Sequence, residues 1–215
     1  MGKDFLNKIT SAERLVKNSL WLFGAEASSK IIGLATQIIA ARYLGDKGYG
    51  SYSLAFALSG IFTVFLDMGL SIYICKQVSH YPEKANRYLK SVFDLKKILA
   101  LPVVGALICL VLLMPGESEI QVVVCAIGLA LVVNGFTEMY LAVFRAFEWM
   151  SLVCVLLVVQ RALFFALGFI SLFMGYQVVP FAILFLVVSV FSLILARCNM
   201  KKRSEGEKPL LDWGL

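Results

Sequence analysis

Residues 22–45 read LFGAEASSKIIGLATQIIAARYLG. The run is long and apolar enough to cross a bilayer, because a helix of about 20 residues, rising about 1.5 Å per residue, spans the hydrocarbon. Yet Glu26 and Lys30 stand four residues apart inside it, and Gln37 follows. A charge at mid-span costs about 2.5–3.5 kcal/mol on insertion scales, so such groups face a bundle interior or a watery cavity. With Glu26 at zero on a helical wheel, Lys30 falls at about 40°, Gln37 at about 20° and Gly33 at about −20°. Ser29 and Ala40 lie beside them. One side of this span is therefore polar and small, and the other is Leu, Ile and Phe.

The rest of the chain has the same character. Of 215 residues, 60% are hydrophobic and 16% charged, with a mean hydropathy of +0.84. Apolar windows predict six membrane helices, at about 19–41, 50–75, 98–114, 120–144, 151–174 and 178–196. The fold class expected is an all-α polytopic membrane protein. The breaks between windows are legible as turns: RYLGDKGYG, MPGESE, FRAFEWM and MGYQVVP carry the Gly, Pro and charged residues that end helices. Residues 1–18 form a charged, helix-compatible lead on the six-helix unit 19–197. Residues 76–97 form a basic loop expected to lie as a short helix on the membrane surface, and 198–215 a basic linker. The first apolar run is too long for a signal-peptide core of about 7–15 residues, so an uncleaved lead is expected.

The cysteines, Cys75, Cys109, Cys125, Cys154 and Cys198, lie in or at the ends of apolar runs with no C-x-x-C pair. They read as small apolar residues rather than a disulfide framework. His80 is the only histidine. No metal centre or cofactor is expected.

Sixteen of the twenty Lys and Arg residues fall on one side of the six windows: in the lead, in 76–97, at Arg145 and in the tail. Arg42 and Lys47 fall on the other side, and Lys30 and Arg161 lie inside spans. The positive-inside rule then places both termini in the cytoplasm. The net charge of +6 reads as orientation and contact with anionic lipid, not as nucleic-acid binding.

Polar stripes recur. In the second window Ser53, Gly60 and Asp67 are seven apart, with Thr63 and Ser71 beside them. In the fourth Asn134, Glu138 and Arg145 align; in the fifth Arg161 stands well inside the apolar run. The third and sixth windows carry little that is polar and read as packing or lipid-facing helices. The simplest geometry gathers the charged groups around one cavity. Lys30, Arg161, Gln37, Asn134 and Ser29 would line it and receive an anionic ligand. Glu26, Asp67 and Glu138, nearer the cytoplasm, would gate it or bind a coupling cation. Two structural readings stand beside this one. Glu26 and Lys30 can neutralise each other across one turn, and an Asp67–Arg161 or Glu138–Arg161 bridge can hold the bundle together.

The order ARYLG, then YG and Tyr52, then Asp67, Gly69 and Leu70 resembles the start of the polysaccharide-biosynthesis flippases. These are the lipid-linked oligosaccharide and O-antigen flippases of the multidrug/oligosaccharidyl-lipid/polysaccharide exporter superfamily. The carrying residues include Arg42, Gly45, Gly50 and Gly69, which the resemblance assigns a structural part. Lys76 stands where the family often has Arg. The resemblance implies export of a polyprenyl-pyrophosphate-linked glycan across the cytoplasmic membrane by alternating access, with the pyrophosphate held in a cationic cavity. It also implies twelve or more spans in two six-helix lobes, of which this chain matches the first. The chain is therefore expected to be a fragment, a truncated and inactive lobe, or a half-sized protein working as a homodimer. A cation-coupled multidrug antiporter of the same superfamily is the alternative, and Lys30 and Arg161 count against it. No nucleophile–histidine pair, acid pair or metal cluster supports an enzyme.

Overall fold

A backbone in hydrocarbon must satisfy its own N–H and C=O groups, and this chain does so with helices. The computed structural model describes residues 2–113 and 118–206. Among them run α1 (Gly2–Asp67), α2 (Leu70–His80), α3 (Ala85–Leu113), α4 (Ser118–Ala146), α5 (Met150–Phe173) and α6 (Val178–Gly206), with no strand. Five helical runs are long and apolar enough to cross a membrane. The chain is an all-α multi-pass membrane protein. Residues 114–117 of the MPGESE turn and 207–215 of the tail lie outside the described residues.

The first of these runs, Glu26–His80, has 55 residues, about 80 Å of helix against a hydrocarbon core of about 30 Å. It is not continuous. Gly45 sits at φ 66, ψ −176, a left-handed backbone that costs glycine little, and it divides α1 into two limbs. On the first limb Thr36 and Ala40 are buried, and Ala40 shares a core with Tyr52 and Ala55 of the second limb. The first limb also meets α5 through Tyr43 and Phe169, edge to face at 6.5 Å. It therefore folds onto the bundle instead of projecting from it. A second break follows Asp67, where Met68 (φ 39) and Gly69 (φ 82) are left-handed and α2 begins.

The centre of the bundle is α4, which packs on α1, α2, α3 and α6. Every residue from Met139 to Phe144 is buried, as a helix surrounded on all sides requires. Towards the α4 N-terminus the core is aromatic: Tyr52 and Phe164 pack on Phe181 at 5.3 and 5.1 Å, and Phe56 and Phe164 on Phe185 at 5.2 and 4.9 Å. Towards its C-terminus a second core joins Ile74, Val78, Leu89, Met139, Phe144, Val153 and Met200.

Two expectations change here. The basic segment 76–97 is not a separate surface loop. α2 continues to His80, a short turn covers Pro82–Lys84, and α3 then runs unbroken from Ala85. Its buried positions, Ala85, Leu89, Val92, Lys96, Val103, Leu107 and Val111, keep one helical face from end to end. Lysines on the other face lower the hydropathy of the first turns and hide this continuity. The α3 helix, which looked nearly devoid of polar groups, thus carries a buried lysine. It also presents Ile98, Leu101 and Leu112 outward, as a lipid-facing helix does. α6 is a packing helix that lies along α4, with Ser189 and Ser192 buried.

Candidate functional site

Intramembrane charges build the site, and the fold sorts them into two sets. The first set centres on the break after Asp67. The Lys96 ammonium, 0% exposed, donates to Asp67 Oδ1 at 2.7 Å and to the Gly135 carbonyl at 2.7 Å. The Ser71 hydroxyl donates to the same Asp67 oxygen at 2.6 Å. One carboxylate thus joins the end of α1, the first turn of α2 and the middle of α3, while the lysine reaches on to α4. The Asp67 side chain remains 38% exposed, so the node has one open edge. Gly135 makes room for it: a Cβ there would stand 2.7 Å from Leu66 Cδ2 and 3.8 Å from Lys96 Cε. Charge-assisted bonds in a low-dielectric interior are strong, and a buried lysine without them would be costly.

The same set continues along α4. Gln160 Nε2 donates to Asn134 Oδ1 at 2.7 Å, tying α5 to α4. Arg145 donates to Glu138 at 3.3 Å, two turns back on the same face. Beside that pair Ser71, Ile72, Cys75, Lys76, Ala142 and Arg145 line a cavity of about 320 Å³ between α2 and α4. Its lining is mostly apolar and includes two cations, Lys76 and Arg145.

The bridges to Arg161 considered from sequence are therefore corrected. Asp67 takes Lys96 and Glu138 takes Arg145, because Arg161 points to an exposed face of α5. Asp67, Glu138 and Asn134 are held in contacts, while the other named residues stay outside them. Glu26, Lys30 and Gln37 are exposed on the first limb of α1. Ser29 and Gly33 are half-buried, with open space beside Gly33, and Thr36 and Ala40 further along the same line are buried in the bundle. The stripe read as one unit is thus two: Thr36 and Ala40 turn inward, and Glu26, Lys30 and Gln37 form the exposed edge beside them. Among the described residues neither Lys30 nor Arg161 forms an ion pair.

Residues 15–206 match the model of a family described as polysaccharide biosynthesis protein. The chain belongs to that family. The match runs from within α1 to the end of α6. Comparison with curated proteins and with solved structures gives no significant match. Among the residues on which the family resemblance rested, Gly45 and Gly69 occupy the two left-handed breaks of the first apolar run. Arg42 and Gly50 are exposed, and nothing in the structure explains a glycine at 50. In this polysaccharide-biosynthesis protein, sequence reading missed Lys96, Ser71 as its co-ligand on Asp67, and Gln160. The signal for Lys96 was its place on the apolar face with Leu89, Val92 and Val103.

Proposed function

We propose that the chain moves a lipid-linked oligosaccharide or polysaccharide precursor across the cytoplasmic membrane by alternating access, as a flippase and not as an enzyme. Family membership supports export in polysaccharide biosynthesis, and the sorting of charges carries the finer reading. Asp67, Lys96, Glu138 and Arg145 neutralise one another inside the chain. Lys30 and Arg161 remain exposed at membrane depth. Cations held there without a carboxylate partner are expensive in lipid, and they suit a polyprenyl-pyrophosphate anion carrying a glycan. Gln37, and Asn134 with its Gln160 partner, would add hydrogen bonds to the sugar, with Ser29 at the edge. Glu26 beside Lys30, and the open edge of Asp67, would bind a coupling cation or gate access. The basic end of the bundle, with both termini, would lie in the cytoplasm against anionic lipid.

The exposed stripe also calls for cover. A second copy related by a two-fold axis along the membrane normal would enclose it and bring four cations, Lys30 and Arg161 from each, around one cavity. Single cysteines at Gln37 on two copies would then cross-link.

The test is flipping of a polyprenyl-pyrophosphate oligosaccharide in proteoliposomes. Lys30→Ala and Arg161→Ala are expected to insert and fold normally and to lose most of the flipping rate. Normal rates in both variants would overturn the anion-receiving role. A drop in folded yield would assign these cations to structure instead.

A further inference from the structure

The proposed transport reading concerns the middle of the membrane; a separate cavity lies at the other end of the bundle from the basic segments. It is about 430 Å³ in volume, within the range of small-molecule sites, roughly 300–1,000 Å³. Three connections close around it: the break in α1, the start of α4 and the α5–α6 turn. Tyr43, Lys47, Ser51, Glu119, Tyr176 and Gln177 supply its polar wall. The buried side chains of Leu172 and Val178 lie at its base.

Two glycine-built turns hold that wall in place. After α5, Gly175 is left-handed at φ 82. Its N–H bonds the Leu172 carbonyl at 3.1 Å, and the Tyr176 N–H bonds the Ser171 carbonyl at 3.2 Å. This double-bonded helix cap fixes the direction in which Tyr176 and Gln177 leave the helix. On the opposite side the break at Gly45 carries Tyr43 before it and Lys47 and Ser51 after it. Tyr43 is steadied by its edge contact with Phe169. The Ser51 hydroxyl donates to the Lys47 carbonyl at 3.0 Å, which leaves its oxygen free to accept. A site pre-formed in this way loses little entropy when it binds.

The lining selects a ligand class. One carboxylate and one ammonium offset each other, so the wall does not favour a phosphate. Two phenols, a hydroxyl and an amide offer donors and acceptors in alternation. Tyrosine rings add flat apolar faces with a polar tip. A polyhydroxylated ring, with hydroxyls at its edge and C–H bonds on its faces, matches both features. The geometry points to a carbohydrate-binding site at this cation-poor end, formed by Tyr43, Tyr176, Gln177, Ser51 and Glu119. Resting on the proposed transport reading, this site receives the glycan part of the cargo as it leaves the membrane, apart from the pyrophosphate.

Soluble sugars can test the site without any transport. The full chain in detergent is titrated with a panel of mono- to trisaccharides in neutral, amino and uronic forms, read by saturation-transfer NMR, and with inorganic pyrophosphate as the contrasting probe, read by phosphorus-31 line broadening. Saturable binding of at least one sugar is expected. Tyr176→Ala and Gln177→Ala should each weaken it on the order of tenfold, about 1.4 kcal/mol. Both residues are exposed on the turn, so folding should hold, and circular dichroism checks it. Pyrophosphate binding should be unchanged in both variants. If no sugar in the panel binds, or if the two variants bind as well as the parent, the site is refuted and the tyrosines serve as interfacial anchors. Absence of flipping by the parent chain in proteoliposomes, with sugar binding intact, would count against the transport reading alone.

Discussion

Two regions of α1 carry charge into the membrane and treat it in opposite ways. At the far end of the helix Asp67 is tied to a wholly buried lysine, to Ser71 and, through the lysine, to a helix carbonyl. On the first limb Glu26 and Lys30 stand on an exposed edge. The first arrangement is closed within the chain and holds four helices in register. The second is open, and its charges are available to something the bundle does not itself supply. The same kind of side chain is thus a structural tie in one place and, among the described residues, an unpartnered charge in the other.

The largest effect should come from breaking the closed region. Lys96→Met removes the ammonium and leaves a carboxylate and a carbonyl without their partner, so a loss of about 3–5 kcal/mol is expected. Thermal unfolding in detergent should show a markedly lower Tm. Asp67→Asn with Lys96→Met should recover much of that loss, because the uncompensated charge is gone. If the double variant is no more stable than Lys96→Met, the ion pair is not what holds the node.

Next in size is Gly135→Ala. Its Cβ would meet Leu66 at 2.7 Å, and overpacking of this kind costs about 1–3 kcal/mol. Leu66→Ala in the same chain should relieve part of that clash. An unchanged Tm in Gly135→Ala would mean that Leu66 yields freely.

Smaller still is Asn134→Ala, which removes the bond to Gln160. Interhelical bonds of this type average about 0.6 kcal/mol in membrane proteins. A loss beyond about 2 kcal/mol would give this pair a weight comparable with the Lys96 node.

The comparison is sharpened most by a change that should leave stability alone. In a background without the native cysteines, a Lys30→Cys variant should react quickly with a water-soluble maleimide, and a Thr36→Cys variant slowly. Thr36 is 8% exposed, and its hydroxyl is bonded to the Ile32 carbonyl at 2.8 Å. Equal labelling at the two positions would erase the distinction between the packed line and the charged edge.

Membrane class and helical architecture were legible because hydropathy is a property of the chain itself. Lipid leaves a backbone no alternative to internal hydrogen bonds, so long apolar runs become helices whatever surrounds them. The turns at Gly45 and Gly175 were legible for the same local reason, since both take left-handed backbone that other residues resist, but the break at Gly69 inside the window 50–75 was not. The start of α3 was not legible to a hydropathy window. Its lysines look like a surface segment until Lys96 is placed on the face shared with Leu89 and Val103.

Which charges pair was beyond sequence altogether. Asp67 and Lys96 are 29 residues apart, and Asn134 and Gln160 are 26 apart. Only the packing of α3 against α1, and of α5 against α4, brings them together. A helical wheel puts Ser29, Gly33, Glu26 and Lys30 on one side of a span. It does not say where the edge of the neighbouring helix falls across that side. That edge is set by how the first limb of α1 lies on the bundle, which turned Thr36 and Ala40 inward and left Lys30 outside. The sequence determined that this protein crosses the membrane as helices and carries charge there. The tertiary structure decided which of those charges stay occupied with one another, because partnership depends on distances between helices that no local pattern contains.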